Sequence, residues 1–214
     1  MKKFLITNIL ILFLNSNAFT EEVRNFKIEG MSIGDSALNY FEEDQLQDGE
    51  QDWFNYNYKE YATSLLPGKG IYKWFQVSYK SDDDKYVIEG LVGIVEKRSY
   101  NDVQCNKELD TEALIISKLF KNLNQSKKKL FRITYDSSKI FYEVSNSGKN
   151  SATIMVFNFL DNSTITLACY DMDKSINEIE TFFTNINQFD SFRIDIKSLS
   201  FINFLKKKNY EKIY

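Results

Sequence analysis

Apolar residues recur along this chain at two periods. Between about Asn106 and Leu123, the residues Leu109, Ala113, Ile116, Phe120 and Leu123 follow at steps of four, three, four and three, leaving Lys118 and Lys121 off the line. That is the single apolar stripe of an amphipathic helix. Elsewhere the period is two. Ile71, Phe75, Val77 and Tyr79 fall on one side of an extended segment, and Asp82-Asp83-Asp84 breaks it. Tyr86 to Val95 is apolar on both faces with Gly90 and Gly93 inside it, as in the central strand of a hairpin. Phe131-Ile133-Tyr135, Ile140-Tyr142-Val144, Ala152 to Leu160 and Ile165-Leu167-Cys169 read as further strands, the last pair joined by a turn at Asp161-Asn162. Phe192, Ile194 and Ile196 alternate with Arg193, Asp195 and Lys197, the pattern of a strand with one wet face.

Shorter helices are predicted from near Ser32, over 175–183 and over 201–208. Ser32-Ile33-Gly34-Asp35 fits a Ser-x-x-acid cap, with Ala37, Leu38 and Phe41 as the apolar face behind it. In the last helix the aromatic residues pack onto the sheet while Lys206-Lys207-Lys208 stay in water; the competing arrangement lays that helix on an anionic membrane surface. No repeat and no linker divides the chain, which holds one Pro and eight Gly. Strands joined by short turns, with few helices, predict one α+β domain over 19–214. Its antiparallel sheet of about five to seven strands carries helices packed on one face.

Residues 1–18 have a separate logic. Lys2 and Lys3 precede a mostly apolar run from Phe4 to Leu14, and Asn15-Ser16-Asn17-Ala18 places small residues where a signal peptidase reads. The run is too short to span a bilayer, so cleavage near Ala18 and a periplasmic or secreted destination are expected. Charge is uneven. Residues 21–52 carry a net −8 and residues 53–214 about +3. A net acidic chain is a poor nucleic-acid binder, and no later run is long enough to be a transmembrane segment.

There is no His in the chain, which excludes Ser-His-Asp and Cys-His catalysis and His-ligated zinc. Three acidic runs, Asp48/Glu50/Asp52, Asp82/Asp83/Asp84 and Asp171/Asp173, lack the Gly and Glu that an EF-hand places at its sixth and twelfth positions. They read as turn and surface acids. Ser126-Lys127-Lys128-Lys129 is the lone Ser-x-x-Lys match and reads as a solvated basic loop. The Trp53/Phe54/Tyr56/Tyr58/Tyr61 cluster reads as core or sheet-edge cover. No catalytic, cofactor-binding or metal-ligating residue is assigned, and no cofactor is expected. The two cysteines, Cys105 and Cys169, are expected to pair: an exported chain without an odd cysteine sits in an oxidising compartment. The bridge would fasten the main helix to the core side of the strand ending at Cys169, with Cys105 just ahead of the helix.

Phe26-Lys27-Ile28-Glu29-Gly30-Met31-Ser32-Ile33-Gly34-Asp35-Ser36 resembles the opening of an uncharacterised family of small exported proteins from AT-rich marine bacteria. The resemblance spans about a dozen residues plus a looser match at Cys169-Tyr170-Asp171, and it implies export without implying an activity. Gly30-Met31-Ser32 also resembles the small outer-membrane assembly lipoproteins, whose lipidated Cys this chain lacks. Within the motif, Gly30, Ser32, Gly34 and Asp35 are the expected turn and helix cap. The expected function is a non-catalytic binding or interaction module for an envelope protein or small ligand. The alternatives are a structural or assembly accessory of the envelope and a carboxylate-dependent enzyme.

Overall fold

The computed structural model describes residues 23–51, 60–96, 102–120, 123–136, 139–143, 151–171 and 191–207. The expected signal segment, the helix over 175–183, Val144, and Trp53 to Tyr58 of the aromatic cluster lie outside these residues. The described chain forms β1 (Tyr61–Pro67), β2 (Trp74–Lys80), β3 (Gly90–Glu96), β4 (Asn124–Asp136), β5 (Lys139–Glu143), β6 (Ser151–Asn158), β7 (Thr164–Asp171) and β8 (Ser191–Lys197). All pair antiparallel in one sheet, in the order β1-β2-β3-β8-β7-β6-β4-β5. The helices α1 (Glu43–Asp48), α2 (Asp102–Leu119) and α3 (Leu199–Lys207) complete the α+β fold. The strand late in sequence sits mid-sheet. Ile196 of β8 lies opposite Leu91 on one side and Ile165 on the other, joining the early strands to the later ones.

Among the described residues the sheet has eight strands against an expected five to seven, and the addition is β1. Its residues on the main core face are Ala62, Ser64 and Leu66, so no apolar period is visible there. Ser64 is buried because its hydroxyl reaches the Leu46 carbonyl at 2.6 Å and the Tyr79 hydroxyl at 2.7 Å, tying β1 to α1 and β2. The run at 126–129 is strand as well, paired with Val156 to Thr153 of β6. A solvated loop was expected there. Polar residues are tolerated because β4 lies toward the outer side of the sheet, and the backbone groups of 124–131 that face β6 are satisfied by it.

The helices occupy both faces, which corrects the expectation of one. Leu91, Val95, Ile165, Leu167, Phe192, Ile194 and Ile196 line the first face, and α2 covers it with Leu109, Ala113, Ile116 and the following Phe120. The next residue along each strand points the other way. There Tyr61 of β1 packs with Phe201, Phe204 and Leu205 of α3, with ring centroids 4.7–5.1 Å apart. The apolar side of α3 is thus buried on protein. Gly90 is required where it stands, since a Cβ there would lie 2.7 Å from the Phe201 ring.

The second face is closed further along too. Asp195 and Lys197 were expected in water, yet they are 9% and 6% exposed and hydrogen-bonded to each other. Beside them, Ala152, Ile154, Val156 and Ala168 form a buried cluster with Tyr170 against it. The alternation in β8 is real, but burying a charge is tolerable where its partner is buried with it.

The predicted helix from Ser32 does not form. Glu29 and Gly30, at φ +47° and +89°, make a tight turn that pairs Ile28 with Met31. Asp35 accepts the Ser32 N–H at 2.9 Å, half of the expected cap, but the Ser32 hydroxyl turns back to the Arg24 and Phe26 carbonyls. Gly34 at φ +90° then takes the chain out of helical conformation. Residues 34–37 run as a strand-like tie along 85–88: Gly34 N–H to Ile88 O, Ile88 N–H to Asp35 O and Ala37 N–H to Tyr86 O, all 2.8–2.9 Å. A 3₁₀ turn follows at Ala37–Asn39, capped by Ser36. The motif is a clasp between the N-terminal segment and the approach to β3.

Candidate functional site

The chemistry gathers around α2. It begins at Asp102, one turn earlier than the stripe suggested, so Cys105 lies inside its first turn and not ahead of it. Cys105 and Cys169 form a disulfide with Cα atoms 5.8 Å apart, and both are buried. The bridge and the Leu109/Ala113/Ile116 stripe set the rotation of the helix. At about 100° per residue, the remaining positions then fall on two flanks.

One flank carries Glu108 and Glu112, a turn apart and both half-buried. They converge electrostatically with Glu29 on Tyr72, which precedes β2 and packs its ring on Phe75 at 5.5 Å. Burial, then the neighbouring Glu112, Glu29 and Glu108 charges, push the Tyr72 phenol up to about 12. Burial, and then Glu108, raise the Glu112 carboxyl above its ordinary value. Tyr72 in turn needs Gly93 opposite it, where a Cβ would meet the ring at 2.5 Å. A raised carboxyl beside a second carboxyl is the raw material of acid–base chemistry. Among the described residues, however, no group of three or more acids or cysteines is arranged to hold a metal ion.

The opposite flank carries a shallow depression of about 620 Å³ lined by Val103, Asn106, Lys107, Asp110, Thr111 and Leu114. Val103 is 76% and Leu114 55% exposed, unusual for apolar residues eleven positions apart on one helix side. This flank faces β4. Lys127 of β4 donates to Asp110 at 2.6 Å, and Ser117 reaches Gln125 at 3.3 Å. Where that flank meets the sheet, the surface is polar and basic at β4 and partly apolar on the helix.

The residues named from the sequence separate into scaffold and surface. Cys105 and Cys169 come together under α2. Gly30, Ser32, Gly34 and Asp35 lie together in the N-terminal clasp, where Tyr40 also donates to Asp35 at 2.9 Å. In the acidic runs, Asp83 accepts the Lys85 and Val87 N–H groups as a turn acid, and Glu50 accepts the Tyr79 hydroxyl. Asp52 and Asp173 lie outside the described residues. The sequence reading did not single out Tyr72, Glu108, Glu112, Val103 or Leu114. The four-residue spacing of Glu108 and Glu112 was the available signal for the first flank. For the second it was Val103, once the helix is started at Asp102. Among the described residues no helix is long and apolar enough to cross a membrane. No protein-family model, curated protein or solved structure matches the chain.

Proposed function

We propose that this chain is an exported envelope protein, periplasmic or secreted after loss of residues 1–18, and that it acts as a non-catalytic binding module for another protein of the envelope. The Lys-apolar-small pattern of the first eighteen residues and a disulfide that an oxidising compartment maintains support export. The observation that carries the binding role is the β4-facing flank of α2. Val103 and Leu114 stand in water around a depression while the apolar stripe of the same helix is fully used by the core. Exposed apolar side chains rimmed by polar ones are the signature of an interaction surface. The carboxylate-dependent enzyme remains the weaker reading, because the Glu108/Glu112 pair and the depression lie on opposite flanks of the helix.

A photoreactive amino acid placed at Val103 or Leu114, with Lys80 at the far end of β2 as control, tests the reading in cells of the source organism. A discrete adduct from the α2 positions alone is expected. The crosslinked protein, once purified, should bind the intact chain and lose about tenfold or more in affinity to Leu114→Asp. Adducts equal at Lys80 and Leu114, or affinity unmoved by Leu114→Asp, would refute the binding role of this flank.

A further inference from the structure

The wet side of α2 carries a second stripe. Val103, Lys107, Asp110 and Leu114 follow at steps of four, three and four, and all four line the depression. That is the spacing of a seam between two helices. All four are exposed, whereas Cys105, Leu109, Ala113 and Ile116 take up the core side of the helix. A second helix on this seam leaves the core stripe undisturbed.

The order along the stripe decides what fits it. It runs apolar, cation, anion, apolar, and reversed it runs apolar, anion, cation, apolar. An antiparallel copy of the same helix therefore sets Val103 against the second copy's Leu114 and Lys107 against the second copy's Asp110. Each contact occurs twice about a two-fold axis, as an isologous interface requires. Parallel pairing sets Lys107 on Lys107 and Asp110 on Asp110, and like charges opposite one another reject it. Sliding the antiparallel pair by four residues sets Lys107 against Leu114 or Asp110 against Val103, which loses the charge match. One arrangement alone uses all four residues. Asp110 keeps capacity for the contact. Lys127 donates to its Oδ1 at 2.6 Å, its side chain is 60% exposed, and a carboxylate presents about four acceptor sites on two oxygens.

We propose that two copies of this chain pair through the β4-facing flank of α2, antiparallel and two-fold, with Val103 on Leu114 and Lys107 on Asp110. The pairing rests on the reading of that flank as a binding surface and adds a second copy of the chain to its occupants. The seam is about 16 Å long at about 1.5 Å per residue, a small contact, so half-association near about 0.1 mM is expected.

The test is sedimentation of the whole oxidised chain from about 5 μM to about 1 mM, over which its average mass should rise from one chain toward two. Lys107→Glu and Asp110→Lys should each weaken association about tenfold or more, because each sets like charges opposite one another twice. Mixed in equal amounts, the two variants should pair with each other and recover association to within about threefold of the original, since every facing charge pair is again opposite in sign. Recovery by mixing separates a lost contact from a lost fold. Lys80→Glu, at the far end of β2, should leave association unchanged. A photoreactive amino acid at Val103 should link the two copies at peptides containing Leu114. Protein that stays a single chain at about 1 mM overturns the proposal. So does a mixture that associates no better than either variant alone, or a crosslink that joins position 103 to position 103. If the chain stays single while Leu114→Asp still weakens binding of the crosslinked envelope partner, the pairing falls and the binding role of α2 stands. If mixing restores association while Leu114→Asp leaves that partner's affinity unchanged, the pairing stands and the role toward another protein falls.

Discussion

Opening the Cys105–Cys169 bridge should destabilise the protein by about 4 kcal/mol. The two residues are separated by 64 positions, a closed loop that contains most of α2, all of β4, β5 and β6, and most of β7. In the chain-entropy model a loop of that length removes about 14–15 cal/mol/K from the unfolded chain, or about 4 kcal/mol at 25 °C. Against a typical domain stability of about 5–15 kcal/mol this is a large share, but it need not abolish folding. The apolar contacts of α2 are independent of the bridge: Leu109, Ala113 and Ile116 remain packed on the first face. Urea unfolding of the oxidised chain, the same chain under reductant, and Cys105→Ala/Cys169→Ala isolates the term. With a slope of about 2 kcal/mol per M, the midpoint should fall by about 2 M for both unbridged forms. Coincident midpoints for oxidised and reduced protein would refute the reasoning, as would free thiols titrating in the unfolded, unreduced chain.

Gly90→Ala should cost about 1–3 kcal/mol, because the new methyl meets the Phe201 ring and the Ser78 Cβ, and loosening of α3 should show as faster amide exchange in that helix. Leu109→Ala should cost about 2–5 kcal/mol in urea titrations while Leu114→Asp stays within about 0.5, since the first is buried in the core and the second stands in water. Burial, then Glu108, raises the Glu112 carboxyl in the folded state above its ordinary value, so its contribution is full below the ordinary carboxyl pKa and lost as pH rises through the raised folded value. Glu112→Gln should therefore raise the melting temperature at about pH 7 and leave it unchanged at about pH 3; an equal effect at both would remove the burial argument.

Strands were legible wherever apolar alternation faced a core, as in β7, where Ile165, Leu167 and Cys169 point to the first face. Legibility failed where small or polar residues met special partners. In β1 the core side is Ala62, Ser64 and Leu66, and the buried Ser64 makes sense only once the Leu46 carbonyl and Tyr79 hydroxyl are beside it. The Ser32 cap misled because local capping chemistry is shared by turns. Asp35 does accept the Ser32 N–H, but Gly34 and the ties to 85–88 decide the path, and residues 85–88 are fifty positions away. Charges in β8 misled in the opposite sense, since nothing local to Asp195 and Lys197 tells that their face is covered.

The candidate surface was hidden for a further reason. Which strand lies beside the outer flank of α2 depends on strand order, and that order follows from β8 entering between β3 and β7, a contact between distant parts of the chain. Which flank of α2 meets β4 depends in turn on helix rotation, and two independent restraints set it. The Leu109/Ala113/Ile116 stripe holds the middle of the helix, and the bridge at Cys105 holds its first turn. Val103, Asn106 and Lys107 sit near that first anchor, whereas Asp110 and Leu114 lie beside the stretch of helix that the stripe holds. Reduction should therefore loosen the half of the depression nearest Val103 and spare the half where Asp110 meets Lys127. If a partner contacts both halves, it should bind the oxidised chain more tightly than the reduced one, and titration of the two forms at equal concentration reads the difference; equal affinity would show that the bridge does not hold the depression in shape.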